Sequence, residues 1–166
     1  MKLMICGHAR HGKDVVAQLI HSNTGLSFES TSMFCCKMLI FPAIGEKYGY
    51  QSPEDCFRDR HNHRQEWFEL IKAYNQNDLP RLARQLFSTY DMYVGIRNHE
   101  EFQAAQGENL FDLSIWVDAS ERVDCEMRTS NTIEPYMCDV TLDNNGSLPV
   151  LITKVKRLCK VLHGSF

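Results

Sequence analysis

The segment Gly7-His8-Ala9-Arg10-His11-Gly12-Lys13 follows the apolar run Leu3-Met4-Ile5-Cys6 and leads into a stretch of helical periodicity from Asp14 to His21. Two glycines with four residues between them, then a lysine, is the Walker A spacing. Backbone N–H groups of such a loop turn inward around an anion, the positive end of the next helix faces it, and the lysine reaches the outer phosphates. Phosphate is therefore the ligand these residues predict, held by Gly7, His8, Ala9, Arg10, His11, Gly12, Lys13 and Asp14. Asp14 stands where the pattern ordinarily places a Ser or Thr hydroxyl for magnesium, which makes its carboxylate the candidate metal ligand. The structural alternative is a tight strand-to-helix turn, with Asp14 a first-turn carboxylate favoured by the helix dipole.

A second group of residues suits an acceptor. Arg60 and Arg64 are four apart, a spacing that puts both on one helical face, with guanidinium groups placed for the non-bridging oxygens of a monophosphate. The interspersed Asp55, Asp59 and Glu66 leave a solvated charged face as the alternative. His61 and His63 read as orienting or surface groups. Trp67 reads as core, with a pocket-facing edge against a base as the alternative, and Tyr74 and Asn75 are further candidates near that base. Arg97 follows a predicted strand at the edge where outgoing loops of a parallel sheet converge on ligand, and Glu101 is spaced to pair with it. Arg122 and Arg128 lie in the polar stretch 119–137, where they are either lid residues that neutralise a transferring phosphate or exposed solubility charges.

These residues need a scaffold that brings them together. Short apolar runs at 3–6, 26–28, 92–94, 113–117 and 140–142 alternate with helical patterns, the signature of an α/β sandwich around a mostly parallel sheet. The run 26–28 is the weakest strand together with 140–142. Val15, Val16, Leu19 and Ile20 form an apolar stripe that packs on the sheet. Met33–Ile40 reads as buried helix interrupted by Pro42, and 54–87 as mostly helical, with Trp67, Phe68, Leu70 and Ile71 as packing groups. Asp143-Asn144-Asn145-Gly146 is a strong turn, and 148–162 a closing helix. The 166 residues fit one domain, 1–166, carrying a helical acceptor-binding insertion at 47–87 and a lid-like segment at 119–137. A net charge of -3 gives no reason to expect a nucleic-acid partner. Seven cysteines without metal-ligand spacing read as reduced thiols in a cytoplasmic setting, and neither a signal-type segment nor a membrane-spanning apolar run is seen, so no membrane partner is expected.

In this order the chain resembles the deoxynucleoside monophosphate kinases of tailed bacteriophages, within the P-loop nucleoside-monophosphate-kinase group. The resemblance rests on Gly7–Asp14, Ser32-Met33-Phe34, Asp59–Arg64 with Trp67, Asp91–Arg97, Asp112–Asp118 and Asp143–Gly146, and so covers nearly the whole sequence. It implies a three-layer α/β sandwich of the P-loop kinase type and Mg²⁺-dependent transfer of the terminal phosphoryl group of ATP to a deoxynucleoside 5′-monophosphate. Under it, Lys13, Arg97, Arg122 and Arg128 act at the transferring phosphate; Ser32, Arg60, Arg64, Trp67 and Arg97 hold the acceptor; Asp14 positions magnesium. It also implies a homodimer and a place in the host cytoplasm. A P-loop kinase for another small phosphorylated metabolite, or a nucleotide-binding module without transfer activity, fits the same residues. Base preference is not legible.

Overall fold

The strand Leu3–Cys6 (β1) is apolar at every position because both of its faces are covered. Side chains alternate across it, so Leu3 and Ile5 face one way while Met4 and Cys6 face the other. A computed structural model of the chain describes residues 1–125 and 131–164. In it β1 is central to a parallel four-stranded sheet with Met92–Val94 (β2), Leu113–Asp118 (β3) and Val140–Asp143 (β4), in the order β2-β1-β3-β4. The expected strand at 26–28 is reduced to one bridge, Phe28 to Met92, extending the β2 edge. Its neighbour Ser27 is occupied otherwise: Ser27 N and Oγ donate to Asp91 Oδ2 at 2.8 and 2.7 Å.

Helices cover both faces. Lys13–Thr24 (α1) and the closing helix Leu148–Gly164 (α8) place Val16, Ala17, Ile20, Leu151 and Val155 against Leu3, Ile5, Ile115 and Val117. The other face packs Met4, Cys6, Tyr93 and Trp116 beneath a layer from Thr31–Cys35 (α2), Arg81–Phe87 (α6) and His99–Gly107 (α7). The result is an α/β fold with a parallel central sheet between two helical layers. A smaller cluster of Cys36, Ile40, Ile44, Cys56 and Trp67 joins the end of α2 to Phe41–Tyr48 (α3), Pro53–Asp59 (α4) and Arg64–Asn75 (α5).

Pro42 does not interrupt the helical path as the sequence predicts. The chain continues from Thr31 to Tyr48 through a π turn at Cys36–Ile40, in which Phe41 N donates to the Cys36 carbonyl. Pro42 lacks an N–H, and the widened turn just upstream absorbs the missing ladder bond. The break comes at Gly49, whose φ of 69° suits glycine. Pro80 caps α6, where its missing N–H costs nothing. All seven cysteines are free, five of them buried. Among the described residues no helix is long and apolar enough to cross a membrane.

Candidate functional site

Parallel strands deliver their outgoing loops to one edge of the sheet, and the central strand flanked on both sides makes that edge concave. Residues 7–12 leave β1 at this edge and enter α1. Two glycines make the path feasible. Gly7 has φ 138°, and a Cβ there would sit 2.6 Å from the Val117 carbonyl oxygen; Gly12 has φ 90°, and a Cβ there would sit 2.5 Å from Asn144 Nδ2. Arg10 also takes a positive φ, 62°, an uncommon conformation for a side-chain-bearing residue. Lys13 Nζ donates to the His8 carbonyl at 2.7 Å, which places the ammonium within the loop. Gly95, at φ 95°, leaves Lys13 Cε room to pass: a Cβ there would be 3.4 Å away.

The loop is buttressed from behind by residues far away in sequence. His11 is completely buried, and its Nδ1 accepts from Ala119 N at 3.0 Å just past β3. That bond puts the ring proton on Nε2. Asn144 Nδ2 donates to the His11 carbonyl at 2.8 Å, and Asn144 N donates to the Asp118 carbonyl. Asn131, buried, donates from Nδ2 to the Gly7 carbonyl at 3.4 Å. Thus the turn Asp143–Gly146 serves as a brace for the loop. His11, predicted as a phosphate contact, is instead turned inward: its imidazole points into the protein, its backbone N–H donates to the His8 carbonyl at 3.3 Å, and it does not line the cavity beside the loop.

Beside the loop opens a cavity of about 930 Å³, within the range typical of small-molecule sites. The loop and α1 contribute Ala9, Arg10, Lys13 and Asp14 to its wall, α2 contributes Ser32 and Cys35, and the segment after β2 contributes Arg97 and Asn98. The opposite wall is α5, through Arg64, Phe68 and Lys72. Five cations, Arg10, Lys13, Arg64, Lys72 and Arg97, share this space with two carboxylates, Asp14 and Glu101. That excess of positive charge suits a polyanion.

The predicted acceptor pair Arg60 and Arg64 is divided. α4 ends at Asp59 and α5 begins at Arg64, so the two arginines do not share a helical face. Arg60 lies over the Phe57 ring, 4.0 Å from its centroid, and donates to the Phe57 carbonyl at 2.9 Å, away from the cavity wall. Arg64 is on the wall, with NH2 3.0 Å from His61 Nδ1. His63 pairs with Asp59 at 3.1 Å. Trp67 faces the small apolar cluster, its Nε1 buried without a hydrogen-bond partner, rather than the cavity. Tyr74 lies under the Arg81 guanidinium, and the buried Asn75 accepts from Leu82 N, so neither of the two forms the wall.

Phe68, expected to pack in the core, is 56% exposed and lines the cavity. Arg64, Phe68 and Lys72, each four residues from the last, run along the face of α5 that meets the cavity, with Gln65 and Ile71 beside them, so the usable spacing runs forward from Arg64 rather than back to Arg60. Glu101 is the other residue sequence reasoning placed differently. Asn98 caps α7 by accepting from Glu100 N and Glu101 N, and this turn carries the Glu101 side chain to the cavity floor. Burial pushes the Glu101 carboxyl up, opposed by the neighbouring Asn75 amide. Cys35, close by on the same floor, is pushed to about 12, by burial first and then by the Glu101 charge.

Arg122 lies away from this cavity: its Nε donates to the Asn144 carbonyl at 2.7 Å. The segment 119–137 is anchored on both flanks. Glu121 N donates to Asn145, Thr132 N donates to the Arg97 carbonyl at 2.9 Å, and Ile133 is buried. Arg128 lies outside the described residues. Asp14 projects from the first turn of α1 onto the cavity wall, where its carboxylate is a hard oxygen donor beside the loop. Asp91 and Asp118 are structural, Asp91 tying Ser27 and Lys2 together and Asp118 accepting from Ser120 and Asn145. Protein-family models and curated proteins give no match to this chain, so its functional reading rests on residues and geometry.

Proposed function

We propose that this chain is a P-loop kinase that transfers the terminal phosphoryl group of ATP to a deoxynucleoside 5′-monophosphate, releasing ADP and a deoxynucleoside diphosphate. The observation that carries the reading is the shared cavity: Arg10 and Lys13 from the glycine-bounded loop open onto the same space as Arg64 and Arg97 from two other elements. Two anionic groups held at opposite ends of one cationic cleft are what phosphoryl transfer between them requires, because catalysis of this reaction is mainly alignment and charge stabilisation. The choice of a deoxynucleotide rests on the sequence resemblance.

In this reading the backbone N–H groups of the loop and Lys13 hold the donor phosphates, with Lys13 exchanging its bond to the His8 carbonyl for a phosphate oxygen. Arg64 and Arg97 hold the acceptor phosphate, from which an oxygen attacks the terminal phosphorus of ATP as the bond to ADP breaks. Ser32 adds a hydroxyl on the same side of the cavity. Magnesium, when bound, supplies neutralisation of donor charge, and Asp14 would hold it directly or through water. Phe68 adds an apolar surface beside the acceptor arginine Arg64.

The test is a coupled ADP-release assay over deoxynucleotide and ribonucleotide monophosphates with identification of the product. Stoichiometric diphosphate formation, lost in a folded Lys13→Ala protein, is the expected result. ADP release without an acceptor product would reduce the activity to hydrolysis, and ATP binding without turnover would leave a nucleotide-binding module. A non-nucleotide phosphorylated product would make the chain a kinase of another metabolite.

A further inference from the structure

The backbone of Arg97 is held from both of its sides. Before it, Gly95 N donates to the Ile5 carbonyl at 2.8 Å and Ile96 is buried, so the chain leaving β2 stays joined to β1. After it, a single residue grips the turn into α7 at two points. Thr132 N donates to the Arg97 carbonyl at 2.9 Å, and the Thr132 hydroxyl accepts from His99 N at 2.9 Å, with the Arg97 carbonyl 3.3 Å and His99 Nδ1 3.2 Å away. Thr132 is itself anchored. Its neighbours Asn131 and Ile133 are 3% and 1% exposed, Asn131 Oδ1 accepts from Ile133 N at 3.1 Å, and Asn131 Nδ2 donates to the Gly7 carbonyl at 3.4 Å. Residues 131–133 thus tie the first residue of the glycine-bounded loop to the backbone of Arg97.

On the basis of the proposed kinase reading, we infer that Thr132 is a positioning residue for the transfer: it fixes Arg97, and with it the acceptor phosphate, at a set distance from the loop that holds the donor. In-line phosphoryl transfer depends on how the attacking oxygen and the terminal phosphorus are placed, and a misplacement of about 1 Å costs about 100-fold in rate. A guanidinium at the end of a long side chain magnifies any small rotation of its own backbone. Gly95, two residues earlier at φ 95°, gives that backbone freedom to rotate, and the Thr132 clamp on the far side of Arg97 removes it. Thr132 also borders the cavity, so a direct contact between its hydroxyl and the phosphate is the competing role. The two differ in one respect: a positioning effect passes through Arg97 and vanishes without it. Thr132 is exposed, so water replaces its hydroxyl at His99 N when the hydroxyl is removed, and the fold survives the change.

The experiment compares the unaltered protein with Thr132→Val, Thr132→Ser, Arg97→Ala and the Thr132→Val, Arg97→Ala double variant. Steady-state kinetics use ATP with dAMP, dCMP, dGMP or dTMP, alongside calorimetric binding of each monophosphate without ATP. Thr132→Val should lower kcat/KM for the accepted monophosphate by about 10-fold while KM for ATP changes less than about 2-fold, and Thr132→Ser, which keeps the hydroxyl, should stay within about 2-fold of the unaltered protein. In the Arg97→Ala background, Thr132→Val should cost less than about 2-fold, because no guanidinium remains to be positioned. A full loss of about 10-fold in that background, or a folded Thr132→Val protein with unchanged acceptor kinetics, overturns the assignment while leaving the kinase reading in place. Monophosphate binding that Thr132→Val weakens only when Arg97 is present, with no diphosphate product from the unaltered protein, supports the assignment and overturns the transfer reading instead. Absence of monophosphate binding and of product overturns both. Thr132→Ala, which removes the hydroxyl without adding bulk, completes the same cycle where the valine variant fails to fold.

Discussion

Replacing Gly12 by Ala puts a methyl group 2.5 Å from Asn144 Nδ2, where ordinary contact begins at 3.4 Å. The neighbour is a side chain, so it gives way, and in moving it releases the His11 carbonyl to which it donates at 2.8 Å. A buried carbonyl left without its donor costs about 1–3 kcal/mol. Holding an alanine at φ 90° adds about 1–2 kcal/mol. Gly12→Ala should therefore destabilise the fold by about 2–5 kcal/mol, a large part of the ~5–15 kcal/mol by which a domain of this kind is stable. Asn144→Ala alone loses the same bond, at about 1–3 kcal/mol. The informative measurement is the double variant. With Asn144 already truncated, the methyl has nothing to displace, and only the backbone term remains. Urea unfolding of the four proteins should thus show the double variant about 1–3 kcal/mol more stable than additivity predicts. Additive costs, within the ~0.5 kcal/mol scatter of independent sites, would show that Asn144 does not brace the loop in the way described.

Arg64→Ala should cut kcat/KM for the acceptor by about 10- to 100-fold with little change in ATP affinity, whereas Arg60→Ala should stay within about 2-fold, because its guanidinium is spent on Phe57; steady-state kinetics on both substrates checks the pair. Asp14→Ala should weaken activation by magnesium, read as a rise in the Mg²⁺ concentration giving half-maximal turnover, and an unchanged value would make Asp14 a helix-dipole residue only. For Asp91, burial alone would raise its carboxyl, but the Ser27 N–H and hydroxyl and the Lys2 ammonium outweigh it and hold the group below its ordinary value of 3.8. A depressed folded-state value means its stabilisation is fully present above the ordinary range and lost as pH falls through the folded value. Asp91→Asn should accordingly cost about 1–3 kcal/mol near pH 7 and progressively less as pH drops below 4, measured by urea unfolding at each pH.

The strand-loop-helix at 3–24 was legible because each part is local: an apolar run, two glycines at a set interval, then a helical stripe. The parallel sheet followed from the alternation of short apolar runs with helices, and β4 was visible despite a weak pattern. Local reading erred where a residue's environment is set by distant chain. Phe68 and Trp67 are neighbours in sequence, yet one faces an open cavity and the other a closed cluster, since helix rotation, not hydrophobicity, assigns their sides. Arg60 and Arg64 carry the spacing of one helical face, but the turn at 60–63 separates them. Pro42 read as a stop because the π turn that accommodates it has no sequence signature of its own.

By itself, then, the sequence determined the glycine-bounded loop between β1 and α1, the α/β class and the pool of cations near it, all of which depend on short-range spacing and backbone chemistry. Only the tertiary structure decided which of those cations meet. Arg10, Lys13, Arg64 and Arg97 come together because four parallel strands end at one edge and α5 lies across it. The same packing turned His11 inward to Ala119, made Asn144 the brace of a loop 133 residues earlier in the chain, and carried Glu101 to the cavity floor. Those are contacts between segments far apart in sequence, and their geometry exists only once the sheet has set the distance between its loops.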